Sequence, residues 1–272
     1  MLKIIRPGNT AITFFVVIVS GFICSGNKRV TFGVLIAAIA AAFITASANI
    51  INDYYDIEID RINRPERMLA SGKMKKQTAL TFYFFSILGG VALSFLMNSS
   101  ARIILLGSII LTFLYSYNLK KIPLLGNTLV AFLTGLAFLF GGIAFGDVRP
   151  AVFPFIFAFT INFMREIVKD MEDVEGDTSA KVFTFPVKYG YEKTKTLLYL
   201  FALFLVVAMF IPFLLQIYNA KYLLIIAFAV VPMLMYSMQI VHKKNDKVSF
   251  GKVSLLLKLQ MIFGLLAIFL GA

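Results

Sequence analysis

Two groups of aspartates with the same spacing stand out in a mostly apolar chain. Their members are Asp53, Asp56, Asp60, Asp170, Asp173 and Asp177. Each group reads D-x-x-D-x-x-x-D, and residues at i, i+3 and i+7 fall on one face of a helix. Because three aligned carboxylates repel one another, each group needs a cation to offset its negative charge. Carboxylate oxygens suit a hard divalent cation such as Mg2+, so the spacing predicts two metal-binding segments.

The first aspartate group has amides before it and arginines after it. Asn49 and Asn52 precede Asp56 by seven and four residues, which puts all three on one helical face. An amide oxygen with carboxylates suits Mg2+, which leaves positions for phosphate oxygens. Arg64 and Arg67 follow, and guanidinium forks match phosphate geometry. The alternative is a solvated, ion-paired helix end, but it does not explain acids that begin inside an apolar stretch, where charge is costly.

The second group interleaves acids with bases. Arg165 and Lys169 precede Asp173 by eight and four residues, so the three share a helical face. A helix of internal ion pairs is the alternative, and the matched spacing of the first group argues against it. The candidate metal ligands of both groups are Asn52, Asp53, Asp56, Asp60, Asp170, Asp173 and Asp177. Those with a candidate catalytic role are Asp56, Asp60, Asp173 and Asp177.

Two other polar segments are candidates for substrate binding. Tyr115, Ser116 and Lys120 end an apolar stretch, and Arg6 and Asn9 begin another. The alternatives are an interfacial aromatic belt with positive-inside lysines for the first segment and an ordinary helix start for the second. The candidate substrate-binding residues are Arg6, Asn9, Asn49, Asn52, Arg64, Arg67, Tyr115, Ser116, Lys120, Arg165 and Lys169.

The elements that must position these residues are membrane spans. The 272 residues are 60% hydrophobic, and long apolar stretches recur throughout, as in transmembrane helices. We expect an all-α integral membrane protein with nine helices in one bundle around a central cavity, and one domain over 1–272. The first apolar stretch could mimic a signal peptide, but further spans follow it. The predicted spans are 8–24, 31–54, 77–97, 101–117, 125–145, 151–171, 195–216, 219–241 and 252–271.

The basic residues indicate the orientation of these spans. A net charge of +12 would suggest a nucleic-acid partner in a soluble protein, but here the positive-inside rule accounts for it. With the N-terminus in the cytoplasm, 20 of the 26 basic residues fall on the cytoplasmic side. Both aspartate groups then follow even-numbered spans and lie at that same face. One Cys and one His exclude an internal disulfide framework and a His/Cys zinc site.

The segments NDYYDIEIDRINRPERMLASG and MREIVKDMEDVEGD resemble the two aspartate-rich segments of the UbiA superfamily of intramembrane prenyltransferases. With nine spans, the resemblance covers the whole chain. It implies that Mg2+ and a prenyl diphosphate bind at Asn52, Asp56, Asp60, Asp170, Asp173 and Asp177, and less cleanly that Tyr115, Ser116 and Lys120 contribute. One departure lies in AKVFTFP, where the family usually has Gly for Lys181 and Leu for Phe185.

Within the superfamily, REIVKDMEDVEGD and the opening KIIRPGN are most similar to the archaeal ether-lipid branch. That likeness implies Mg2+-dependent transfer from geranylgeranyl diphosphate to the hydroxyl of geranylgeranylglyceryl phosphate, a lipid-phosphate acceptor, at the cytoplasmic face of the cell membrane. The same fold with an aromatic acceptor, as in quinone or haem O synthesis, is the alternative. A cation-coupled transporter would place its acids mid-span, and a non-catalytic scaffold would not need two matched groups.

Overall fold

The computed structural model describes residues 2–25 and 29–272. Lys28, one of the basic residues assigned to the outer side, lies outside the described residues. The described residues form helices and turns, with no β-strand among them. Nine helical segments of this part of the chain are long and apolar enough to cross a membrane. The predicted all-α fold with nine membrane spans is therefore confirmed.

Twelve α-helices are defined over the described residues, with short 3-10 helices at Leu2–Ile5, Leu119–Lys121 and Arg149–Ala151. A π-helical turn, Ile226–Val230, joins α10 to α11 in one span. The α-helices are α1 Pro7–Cys24, α2 Phe32–Tyr55, α3 Ile57–Asn63, α4 Lys76–Ser94, α5 Ser99–Tyr117, α6 Leu125–Phe145, α7 Val152–Glu172, α8 Val174–Ser179, α9 Phe185–Leu214, α10 Ala220–Ile225, α11 Val231–Lys243 and α12 Lys247–Gly271.

Two spans begin earlier than hydropathy predicts. The seventh begins at Phe185 rather than 195, with a kink at Gly190, whose φ is 79°. The ninth begins at Lys247 rather than 252, because Asp246 caps α12 by accepting from the backbone N–H of Ser249 at 2.9 Å. Both early turns carry charge, which lowers their hydropathy without preventing helix formation.

The chain divides into two compact units. The first unit is Met1–Lys121 with Leu136–Val152, and the second is Ile122–Gly135 with Phe153–Ala272. Each aspartate group lies wholly within one unit. The single domain over 1–272, the central cavity and the cytoplasmic N-terminus stay predictions.

In the first unit, α2 packs against α1, α4 and α5. Ala37, Ala38 and Ala40 on α2 are fully buried, and small residues let membrane helices approach closely. On α4, a Cβ added at Gly90 would lie 2.5 Å from Cδ1 of Ile44, so a larger residue there would displace that side chain. This tight packing anchors α2, whose last turn carries Asp53.

In the second unit, α7 is the buried helix and carries the second aspartate group. Met164, Ile167 and Val168 on α7 are fully buried, directly before Lys169 and Asp170. Elsewhere in this unit, α12 packs against α10 and α11. The apolar turns of α7 therefore anchor the polar end that follows them.

Candidate active site

Each aspartate group straddles a break in its helix at the middle aspartate. Between α2 and α3, Asp56 has φ −93° and ψ 5°, and between α7 and α8, Asp173 has φ −98° and ψ 6°. The prediction of one uninterrupted helical face is wrong in both groups, because side-chain spacing does not reveal a bend. The backbone N–H of Asp60 still donates to the carbonyl of Asp56 at 2.7 Å, so the acids stay close in space. The matched breaks give the two segments the same local structure.

Asp56 accepts hydrogen bonds from two candidate site residues of the first unit. The ammonium of Lys120 donates to Oδ1 of Asp56, and Nδ2 of Asn52 donates to Oδ2 at 2.9 Å. Lys120 belongs to the 3-10 turn that follows α5. Residues that sequence alone placed in one site are therefore in contact, across 64 positions of the chain for Lys120 and Asp56.

Asp53 and Asp60 are joined through arginines. Nη1 of Arg67 lies 2.5 Å from Oδ2 of Asp60 and 3.3 Å from Oδ1 of Asp53. Nη2 of Arg6 donates to the same Oδ1 of Asp53. Asp53 and Asp60 are only 4% and 3% exposed, so both carboxylates depend on these cations for compensation of their charge.

The buried position of Asp60 changes its ionisation. Burial raises the pKa of this carboxyl to about 6, and the charge and hydrogen bond of Arg67 act in the opposite direction. Asp56 and Asp53 raise the pKa further through like-charge repulsion. The carboxylate form of Asp60 is therefore stabilised by any cation placed against it.

The N-terminal segment is fixed at the first aspartate group. Arg6 adopts the left-handed backbone conformation, with φ 49° and ψ 72°. The carbonyl oxygen of Ile5 accepts from Nδ2 of Asn49 at 3.0 Å and from Oγ1 of Thr10 at 2.8 Å. Asn49, a candidate substrate-binding residue, thus uses its amide nitrogen to hold the segment that carries Arg6.

In the second unit, Asp170 and Asp177 have partners from other elements. Nδ2 of Asn127, near the start of α6, donates to Oδ2 of Asp170 at 2.8 Å. Oγ1 of Thr184, which precedes α9, donates to Oδ2 of Asp177 at 3.3 Å. Asp177 and Thr184 are both buried. These contacts orient the two aspartates without adding positive charge.

Glu166 organises the cations of the second aspartate segment. Its carboxylate lies 2.9 Å from Nζ of Lys169 and 3.2 Å from Nη1 of Arg165, and it is buried. Nε of Arg165 is buried without a hydrogen-bond partner among the described residues. The arginine and lysine predicted for substrate binding are thus held side by side at the end of α7.

The remaining candidates lie in the first unit. Ser116 is buried and donates to the backbone carbonyl of Thr112 at 3.0 Å, which leaves its oxygen as an acceptor. Tyr115 and Arg64 are half-buried, and so is Asn9 in the first turn of α1. These residues have the right location for a site at the ends of α1, α2 and α5.

The donor atoms fit a divalent cation, although neither aspartate group on its own forms a ready-made cluster. Within the described residues, no three His, Cys, Asp or Glu side chains are grouped closely enough to hold a metal. In the first unit, Lys120 and Arg67 already place positive charge against Asp56 and Asp60. Carboxylate oxygens that attract cations in this way are the hard ligands that Mg2+ prefers.

Three polar partners escaped the sequence-based list of site residues. Asn127, Glu166 and Thr184 each contact a candidate residue. Glu166 was visible as an acid four residues before Asp170, the spacing of one helical turn. Asn127 and Thr184 carry no comparable signal, because their roles depend on which helix ends meet in space.

A nine-span helical fold with two matched aspartate segments is that of an intramembrane prenyltransferase, and the chain belongs to the UbiA prenyltransferase family, which it matches over residues 13–262. It is 39% identical to digeranylgeranylglyceryl phosphate synthase of Methanocaldococcus jannaschii, covering 100% of this chain and 95% of the relative. The enzyme of that name from Methanopyrus kandleri is 35% identical, over 98% of this chain and 96% of the relative.

Solved structures agree with this assignment. A digeranylgeranylglyceryl phosphate synthase structure, 36% identical, matches with a TM-score of 0.77 over 99% of this chain and 96% of that one. A UbiA homologue from Archaeoglobus fulgidus, bound to GPP and Mg2+, has the same fold at 17% identity, with a TM-score of 0.68 and 98% of both chains covered.

Proposed function

We propose that this membrane prenyltransferase transfers the geranylgeranyl group of geranylgeranyl diphosphate to the hydroxyl of geranylgeranylglyceryl phosphate, with Mg2+ as cofactor. The observation that carries the proposal is the contact of aspartates at the helix breaks with cations from distant segments. The main example is the half-buried Asp56, which contacts Lys120. The full-length relatives named digeranylgeranylglyceryl phosphate synthase support the donor and acceptor. The product is digeranylgeranylglyceryl phosphate, an ether lipid.

The aspartates bind the cofactor in this proposal. Asp56 and Asp60 with Asn52 are the ligands from the first segment, and Asp173 and Asp177 those from the second. When bound, Mg2+ stabilises the charge that develops on a diphosphate leaving group. The A. fulgidus homologue, which binds GPP and Mg2+, supports this use of the fold.

The basic residues bind phosphate oxygens. Arg64, Arg67 and Lys120 serve in the first segment, and Arg165 and Lys169 in the second. As the allylic C–O bond breaks, its electron pair leaves with the diphosphate, and the acceptor hydroxyl oxygen forms the new ether bond and releases its proton. The chain's apolar side chains exclude water, which would otherwise capture the allylic carbocation.

A phosphate-bearing acceptor is favoured over an aromatic one. The site residues include more cations than one diphosphate needs, since Arg6 adds to the arginines and lysines already assigned. Guanidinium groups bind phosphate oxygens strongly and in a fixed geometry. The two prenyl chains remain in the lipid, and the phosphorylated headgroups react at the cytoplasmic face.

The test is a reconstituted reaction with purified protein, labelled geranylgeranyl diphosphate and geranylgeranylglyceryl phosphate. We expect one diphosphate released for each ether-lipid product, no turnover in EDTA, and recovery when Mg2+ is restored. Full turnover in EDTA would contradict the metal site. Release of no diphosphate at all would contradict the transferase function and favour a transporter.

A further inference from the structure

Asp53 lies in the first aspartate group but is bound differently from Asp56. Its Oδ1 accepts from Nη2 of Arg6 and lies 3.3 Å from Nη1 of Arg67. Two guanidinium groups from separate segments thus meet at one carboxylate oxygen. Since Asp53 is 4% exposed, its charge is compensated from within the protein.

The backbone around Arg6 is strained to make this contact. A non-glycine residue with φ 49° is uncommon and persists only where the surroundings enforce it. Here Asn49 and Thr10 both donate to the carbonyl of Ile5, and the side chain of Ile4 is 1% exposed in a core that includes Ile50. The N-terminal segment is therefore built to place the guanidinium of Arg6 against Asp53.

Arg6 keeps donors available beyond this contact. A guanidinium has five N–H donors in a planar fork, and the side chain of Arg6 is 26% exposed, against 15% for Arg67. A buried acid that holds one edge of an arginine leaves the other edge oriented for an anion. In the second unit Glu166 holds Arg165 and Lys169 in a comparable way.

We propose that Asp53 is a positioning residue and not a metal ligand, and that it holds Arg6 so that its free N–H groups bind the phosphate of the acceptor. This inference rests on the proposed function for the identity of the acceptor. The bond between Asp53 and Arg6 replaces the metal contact that the D-x-x-D-x-x-x-D spacing suggests for Asp53. Asp53 thereby determines acceptor affinity, whereas Asp56 determines metal affinity.

The experiment compares Asp53→Asn, Arg6→Gln and Asp56→Asn with Glu58→Gln as the control. Glu58 lies in the same segment but is exposed and pairs with Arg61 on the surface. We expect Asp53→Asn and Arg6→Gln each to raise the KM for geranylgeranylglyceryl phosphate by about tenfold, the size expected when a charged hydrogen bond is lost. The KM for geranylgeranyl diphosphate should stay within about twofold of the unsubstituted protein, as should all constants of Glu58→Gln.

A second readout needs no turnover. Mn2+ is titrated onto the purified protein with inorganic diphosphate, and free Mn2+ is measured by electron paramagnetic resonance. We expect Asp53→Asn to retain the affinity for Mn2+ and Asp56→Asn to lose at least about tenfold. If Asp53→Asn lost Mn2+ as Asp56→Asn does, Asp53 would be a ligand and the inference would be overturned, whatever the acceptor proves to be.

The double variant Arg6→Gln with Asp53→Asn completes the test. Because it removes both charges of the pair, it avoids the buried unpaired arginine that could prevent Asp53→Asn from folding, and it then replaces that variant in the Mn2+ titration. Coupled residues give non-additive effects, so its acceptor KM should be no higher than that of either single variant. A multiplied increase, or an unchanged acceptor KM, would overturn the positioning role.

Discussion

The ammonium of Lys120 contacts the carboxylate of Asp56 and places a positive charge at a proposed metal ligand. Both side chains are largely buried, so the contact is only weakly screened. We expect Lys120→Gln to remove a competing cation and to lower the Mg2+ concentration for half-maximal thermal stabilisation by about fivefold. Because Lys120 also serves phosphate binding, the same variant should raise the acceptor KM more than the donor KM.

Lys121→Gln is the matched control for Lys120→Gln. Lys121 is the next residue of the same 3-10 turn but is exposed, and the described contacts include no carboxylate partner for it. Equal effects of the two substitutions on Mg2+ and on the acceptor KM would show that general positive charge, not the contact with Asp56, is responsible.

The proposed metal ligands can be tested one by one. Asp56→Asn, Asp60→Asn, Asp173→Asn and Asp177→Asn should each lower kcat by at least about a hundredfold, since each removes negative charge from the ligand set. Asp246→Asn is the control, because asparagine caps a helix as well as aspartate does. Turnover should be measured together with thermal unfolding, and four variants that behaved like Asp246→Asn would show that the site is misplaced.

Lys181, in the loop after α8, should affect the stability of the protein rather than its catalytic activity. Lys181 has φ 55°, a left-handed backbone conformation that favours glycine. We expect Lys181→Gly to stabilise the protein by about 1 kcal/mol. In a thermal melt this corresponds to an increase in Tm of about 2–4 °C.

Lys193→Gly provides the opposite case. Lys193 is exposed within α9, where glycine costs about 1 kcal/mol of helix stability, so its Tm should fall. A decrease in Tm for Lys181→Gly as well would mean that the positive φ at Lys181 carries no strain.

Much of the fold was predictable, because hydropathy and the length of apolar stretches define membrane helices directly. The helix breaks at Asp56 and Asp173 were not, since acids at i, i+3 and i+7 fit a straight helix equally well. The early start of α9 was missed because Lys188 and Lys193 lower the local hydropathy of a segment that is still helical.

The candidate site was predictable in its residue types but not in its pairings. Spacing identified Asp53, and position after the aspartates or at the end of an apolar stretch identified Arg67 and Lys120. Any of these cations could have paired with any acid. Lys120 pairs with Asp56, and Arg6 pairs with Asp53. These pairings depend on which helix ends lie together in the folded protein. The local sequence therefore does not predict which cation pairs with which carboxylate.

The orientation in the membrane gives a prediction of a different kind. Single cysteines at Lys73 and Thr178 should label from the cytoplasmic side, and one at Lys221 from the outside, in a Cys24→Ser background. All three positions are exposed, and the asymmetry of basic residues favours this topology. Labelling of Lys73→Cys and Thr178→Cys from opposite sides would contradict the predicted placement of both aspartate segments at the cytoplasmic face.

The choice of acceptor tests the proposed function most directly. Purified protein is given equal concentrations of geranylgeranylglyceryl phosphate and 4-hydroxybenzoate with one labelled geranylgeranyl diphosphate, and the two products are separated and counted. The proposed function predicts that labelled ether lipid dominates, and that Arg6→Gln reduces this preference. A predominantly aromatic product would contradict the assignment of a phosphate-bearing acceptor, while leaving the chain a prenyltransferase.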